Sequence, residues 1–159
     1  MKEFCLDEKN LQTPFRFWRQ SLGVLGEDAS SMYLTGLGWR VIERNWRSYR
    51  ACELDIIARD PQGTEVFVEV KTRAAFIGAY GTESVESALA SVDRSKQNRI
   101  KRGALIFLSK SGLQQQQGRR FDVLVVTIKR CSVAYEEGSR FIRVRDGDLD
   151  LLHIEGAFD

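Results

Sequence analysis

Glu53 and Asp55 stand in one alternating run, Glu53-Leu54-Asp55-Ile56-Ile57-Ala58-Arg59. Glu69 and Lys71 stand in a second, Thr64-Glu65-Val66-Phe67-Val68-Glu69-Val70-Lys71-Thr72-Arg73, after the turn sequence Asp60-Pro61-Gln62-Gly63. Both runs are rich in β-branched residues, which predicts a β-hairpin. Setting Arg59 opposite Glu65 carries the register to Ile57 opposite Phe67, Asp55 opposite Glu69 and Glu53 opposite Lys71. Directly opposed residues have Cβ atoms about 4.5–5.5 Å apart, and like charges there repel. Two carboxylates so placed call for a positive partner. Lys71 is one, and a divalent cation such as Mg²⁺ is another, since hard ions take carboxylate oxygens while keeping several waters. The plainer alternative is a solvated outer face, with Leu54, Ile56, Val66, Val68 and Val70 forming the core face.

The rest of the composition narrows the chemistry. His153 is the only histidine, which excludes Ser-His-Asp catalysis and multi-histidine zinc sites, and its position near the end of the chain suits a surface or capping role. Cys5, Cys52 and Cys131 are odd in number and lack metal-ligand spacing, so they read as reduced thiols. Acid–base work therefore falls to carboxylates, lysines or metal-bound water. The net charge of +2 argues little, but its distribution argues more. Arg94, Lys96, Arg99, Lys101 and Arg102 form one basic cluster without an acid. Arg40, Arg44, Arg47 and Arg50 interleave with Trp39, Trp46 and Tyr49 in another. Such clusters suit phosphate contact and stacking, or simply a solubilising face.

These residues need elements to place them. A helix is predicted over Ser21–Thr35, its apolar stripe Leu22, Leu25, Ala29, Met32 and Tyr33 ended by Gly36 and Gly38. Glu27 lies off the centre of that stripe, as a solvated glutamate would. A strand over Trp39–Asn45 precedes the hairpin, and Gly78-Ala79-Tyr80-Gly81 follows it as a loop. A second helix, from about Val85 or Ser91 to Ser109, carries Val92, Lys96, Ile100, Ala104, Phe107 and Leu108 at helical spacing. Lys96 interrupts that face, either snorkelling outward or reaching the carboxylates and a phosphate. Residues 109–120, with four glutamines, read as a loop, and Phe121–Ile128 as a strand buried on both faces. Asp122, at its start, suits structural hydrogen bonding. Short strands over Phe141–Val144 and Leu151–Ile154 complete the chain. The order predicts an α/β fold, a central mixed β-sheet flanked by helices. Residues 1–20 read as an N-terminal extension, partly disordered or a short helix, ahead of one domain over 21–159. No stretch approaches the ~18 apolar residues of a membrane span, and the charged N-terminus is unlike a secretory signal, so a cytoplasmic location is expected.

An acid on one strand followed by acid-any-Lys on the next, here Asp55 and Glu69-Val70-Lys71, resembles the PD-(D/E)XK nucleases. Gly26-Glu27, Ala29, Tyr33-Leu34, Gly36, Asn45, Glu53-Leu54-Asp55, Phe67–Lys71, Lys96, Arg99-Ile100, Phe121-Asp122, His153-Ile154 and Ala157-Phe158 together resemble the small bacterial YraN-like family of candidate endonucleases. That family is distantly similar to archaeal Holliday-junction resolvases, and the likeness runs from about Leu22 to the end. It implies a restriction-endonuclease-like core and a Mg²⁺- or Mn²⁺-dependent DNA endonuclease; the competing class is a module of the same fold that binds nucleic acid in repair or recombination without cutting it. An RNA-directed nuclease of the same fold is a third reading. In the leading one, Asp55, Glu69, Glu27 and the Val70 carbonyl hold the metal. Lys71 acts on the attacking water and Lys96 steadies the phosphate. Arg44, Arg47, Arg99 and Lys101 contact the nucleic-acid backbone. Junction-cutting relatives act as homodimers, which implies a dimer here. One departure bears on activity: the family usually has Gly before Glu53, and here Cys52 could crowd the site.

Overall fold

A computed structural model describes residues 2–6, 14–48, 52–74, 85–112, 118–129, 132–136, 139–144 and 146–159. The expected loop Gly78–Gly81 and the glutamine tract Gln114–Gln117 lie outside them. The elements are β1 (Lys2–Leu6), α1 (Pro14–Gly36), β2 (Arg40–Ser48), β3 (Cys52–Arg59), β4 (Glu65–Ala74), α2 (Val85–Ala90), α3 (Arg94–Ser111), β5 (Arg119–Ile128), β6 (Ser132–Glu136), β7 (Ser139–Val144) and β8 (Leu149–Phe158). A five-stranded sheet has the order β2-β3-β4-β5-β8, and a separate three-stranded sheet the order β1-β7-β6. β4 and β5 run parallel and every other pair antiparallel. The main sheet is therefore mixed, with α2 and α3 in the crossover that a parallel pair requires.

Side-chain alternation divides the core in two. Ile57, Phe67, Val123 and Val125 face α3, packing with Ile100, Ala104, Phe107 and Leu108. Ile56, Ala58, Val66, Val68, Leu124 and Val126 face the other side with Leu34 of α1. Both faces of the hairpin are thus buried, and neither is the solvated face that alternation alone permits. β5, between β4 and β8, is buried from Phe121 to Val126.

Several boundaries differ from the sequence expectation. α1 begins at Pro14, because proline suits a first helical turn, where its missing N–H costs nothing. Of residues 1–20, Lys2–Leu6 form β1, paired with β7, and Pro14–Gln20 open α1. The single second helix is two. Asp93 caps α3, its Oδ1 accepting the Lys96 N–H at 2.7 Å, and so separates α3 from α2. β6, not expected, pairs with β7.

His153 corrects the surface assignment. Its side chain is 6% exposed, with Nε2 2.9 Å from Asp122 Oδ2, and the Tyr33 and Trp39 rings meet it edge-on. Asp122, fully buried, also accepts from Arg120 Nε at 2.9 Å and from the Gly156 amide at 3.0 Å. Burial alone would raise its pKa, but the hydrogen bonds with His153, Arg120 and Gly156 outweigh burial and hold it below the usual carboxylate range. The β5–β8 register shifts between Phe121 and Val123, and the Asp122 side chain satisfies an amide at that irregularity. The structural role expected for Asp122 is the one it has.

Candidate functional site

The hairpin ladder runs in the expected register from Arg59↔Glu65 through Ile57↔Phe67 to Ile56↔Val68 and stops there, so the expected pairs Asp55↔Glu69 and Glu53↔Lys71 do not form, and Glu53 opposes Arg47 of β2 instead. Asp55 lies at the fork where the strands part. Its Oδ2 accepts the Val70 N–H at 2.8 Å, a bond that a carbonyl of β3 would otherwise make. Asn45 lies on the other side of Asp55. Arg44 pairs with Ile56 and Trp46 with Leu54, but no pair joins Asn45 to Asp55. Asn45 has φ 52°, left-handed backbone that asparagine tolerates better than most residues. The strand turns over here. Leu54, expected on the same face as Ile56, instead joins the α3 side of the core, packing with Ile57 and Phe67. Asn45 is a site residue for which sequence reasoning assigned no role, because nothing local marks a left-handed residue inside a strand.

Glu69, on the α3 face of β4, is 3% exposed. Lys71 Nζ lies 2.9 Å from its Oε1, and Lys96 Nζ 3.0 Å from its Oε2. Lys96 precedes Ile100 by four residues, on the helical face that packs on the sheet, so docking of α3 carries the amine to the carboxylate. Leu54, Ile56, Phe67, Val68 and Ile100 pack around Asp55 and Glu69 and leave no room for a water among them. That apolar floor has an electrostatic consequence. Burial first, and the Glu69 charge second, push the Asp55 pKa up to about 7, against the opposing pull of the Val70 N–H and Lys96.

Glu27 arrives by a different route. A Cβ on Gly26 would lie 1.8 Å from Thr72 Oγ1, so α1 presses on β4 one residue beyond Lys71. Glu27 then meets β2, its Oε2 accepting from Asn45 Nδ2 at 2.7 Å, with Arg44 Nη2 4.0 Å away. The Glu27 charge reaches Asp55 only as the smallest of the influences on it. Among the described residues, no three His, Cys, Asp or Glu side chains gather as a metal-holding group. Asp55, Glu69, Lys71 and Lys96 are brought together, and Glu27 stands beside them, tied to Asn45.

The donor set at the fork nevertheless fits a hard divalent ion. Asp55 and Glu69 are two oxygen donors whose mutual repulsion a cation relieves, and Asp55 Oδ1 makes no hydrogen bond among the described residues. In an extended strand the N–H and C=O of one residue leave on the same edge. Val70, whose N–H meets Asp55, thereby presents its carbonyl to the fork as well. Waters would fill the remaining positions, as Mg²⁺ prefers.

The basic residues separate. Arg47 and Arg99 line a cleft of about 390 Å³ with Ser48, Cys52, Glu53 and Lys96. Arg44 is held 2.6 Å from Asp28 Oδ1, and Lys101 sits over the Phe158 ring, 5.8 Å from its centroid. Cys52 is buried, and its Cβ is 3.1 Å from where Gly103 would carry one. The thiol-bearing residue that could crowd the site is thus accommodated against α3 by a glycine.

Residues 26–126 match the family model described as "Uncharacterised protein family UPF0102". The UPF0102 protein of Trichlorobacter lovleyi is 43% identical over 140 residues, covering 88% of this chain and 91% of that protein. That of Geobacter sulfurreducens is 43% identical over 107 residues, covering 67% and 76%. That of Prosthecochloris aestuarii is 39% identical over 137 residues, covering 86% and 92%.

Proposed function

The chain belongs to the uncharacterised family UPF0102, and from the chemistry of its fork we propose that it is a metal-dependent endonuclease hydrolysing DNA phosphodiester bonds. The restriction-endonuclease-like likeness and a preference for branched or damaged DNA belong to the same proposal. One observation carries it: two carboxylates meet where β3 and β4 part, and two lysine amines reach the buried one.

Asp55, Glu69 and the Val70 carbonyl would hold Mg²⁺ or Mn²⁺, which supplies a Lewis acid for the phosphate and lowers the pKa of a bound water. Lys71, hydrogen-bonded to Glu69, orients the attacking water and offsets the charge that builds on the phosphate oxygens. Lys96 approaches from the helix side and donates to a non-bridging phosphate oxygen. Glu27, fixed by Asn45, completes the acidic rim and holds a water. The apolar floor beneath the acids strengthens each of these interactions by lowering the local dielectric.

Nicking of supercoiled plasmid with Mg²⁺ or Mn²⁺ tests this reading. Asp55→Ala and Lys71→Ala should each lower the rate at least ~100-fold, the scale for removing one preorganised group, while circular dichroism shows a folded protein. Cleavage unchanged in either variant overturns the assignment.

A second reading has its own support. With Lys71 and Lys96 both on Glu69, the site is partly neutralised without a metal, as a nucleic-acid-binding module that does not cut would require. Calorimetric titration with Mn²⁺ separates the two, since only the nuclease requires metal binding that Asp55→Ala abolishes. Parallel DNA and RNA substrates decide between the nucleic acids.

A further inference from the structure

The cleft beside the fork lies between the end of β2, the start of β3 and the first turns of α3, and among the described residues its charged lining is Arg47, Glu53, Lys96 and Arg99. Lys96 belongs to both places, since its Nζ is 3.0 Å from Glu69 Oε2. Lys96 thus links the cleft to the buried Glu69. Arg47 and Glu53 oppose each other across β2 and β3, and Arg47 Nη2 and Nε both donate to Glu53 Oε1, at 2.7 and 3.1 Å. Their side chains are 73% and 44% exposed, so water and salt screen the pair and it adds little stability. Both donors converge on one carboxylate oxygen here, and the planar guanidinium fork is also shaped to take two phosphate oxygens. Arg44 and Lys101, engaged by Asp28 and Phe158, do not line this cleft.

We propose that the cleft is a phosphate subsite: Arg47 and Arg99 hold a backbone phosphodiester flanking the one at the fork, and Glu53 competes with that phosphate for Arg47. The proposal rests on the reading that the fork faces a nucleic-acid strand. Glu53 is then a specificity residue. It weakens binding of any strand that does not also engage Arg99 and the fork, because the phosphate must first displace its carboxylate.

Fluorescence anisotropy of a short labelled single-stranded oligodeoxynucleotide, in EDTA and low salt, tests the competition as a double-substitution cycle. Glu53→Gln should tighten binding by about 3–10-fold, and Arg47→Ala should weaken it by a similar factor and reduce the salt slope by about 1. In the Arg47→Ala background, Glu53→Gln should bring little or no gain. Equal gain in both backgrounds would make Glu53 a source of general repulsion only, and the proposal fails. It fails too if Arg47→Ala or Arg99→Ala binds like the wild type. EDTA removes metal and hydrolysis from the measurement. Absence of Mg²⁺-dependent cleavage by the wild type would therefore sink the nuclease reading alone, and a flat cycle would sink the subsite alone.

Discussion

Asp55 sits between two opposing demands. Its apolar floor and the neighbouring Glu69 favour the protonated form, with a pKa of about 7, whereas metal binding requires the carboxylate. The folded protein holds this proton more tightly than the unfolded chain, whose value is near 3.8. The stability so gained is fully present below about 3.8 and is lost as pH rises through about 7. In EDTA, the melting temperature of the wild type should therefore fall from pH 5 to pH 8 relative to Asp55→Asn, which has no carboxyl to titrate. Parallel curves for the two proteins would contradict this. Mg²⁺ should raise the melting temperature most at the alkaline end, where the carboxylate is already formed. The acid-any-Lys tripeptide was legible because alternation along β4 puts Glu69 on the same face as Phe67, whereas Asp55 reaches it from a fork where the β3–β4 pairing has ended. That two lysines from different elements share Glu69 was open, since Lys96 could as well have turned to solvent.

At the scale of elements, the fork depends on two close approaches. Gly26 lets α1 lie on β4 at Thr72, and Gly103 lets α3 lie on Cys52 and Leu54 of β3. Alanine in a helix interior normally stabilises by about 1 kcal/mol relative to glycine. At Gly26 the added methyl would stand 1.8 Å from Thr72 Oγ1, and overpacking of that kind costs about 1–3 kcal/mol. The clash should win. Gly26→Ala is expected to lower the urea midpoint, whereas Gly23→Ala, with nothing within 4 Å of its new methyl, should raise it. A Gly26→Ala midpoint at or above the wild type would show that α1 does not bear on β4 there. Neither approach is readable locally, because a glycine in a helical pattern looks the same whether it faces a strand or water. The turnover at Asn45 and Asp55 was equally hidden, and with it the transfer of Leu54 to the α3 side. The break at Asp93 had a visible signal, an N-cap residue ahead of a helical run.

Across the whole molecule, β4 and β5 form the parallel centre, and the carboxylates lie on the side where β3 leaves β4. Asp122, His153 and Arg120 tie β5 to β8 on the opposite side of β4. The stabilising charge network is thereby separate from the acids proposed to do chemistry. No described helix is long and apolar enough to cross a membrane. One fork offers one set of ligands, so paired cuts across a branched substrate need a second copy of the chain. Light scattering coupled to size exclusion should accordingly give twice the 18.2 kDa chain mass, and a strict monomer at working concentration would remove the paired-cut model.

The sequence by itself determined the hairpin register near its turn, the buried strand β5 and the mixed α/β class. All of these follow from periodicity and turn chemistry within short windows. Tertiary structure alone decided which amines reach Glu69, which arginines line the cleft, and that His153 is buried. Those outcomes depend on how α1 and α3 dock on opposite faces of the sheet, a matter of packing between residues far apart in the chain.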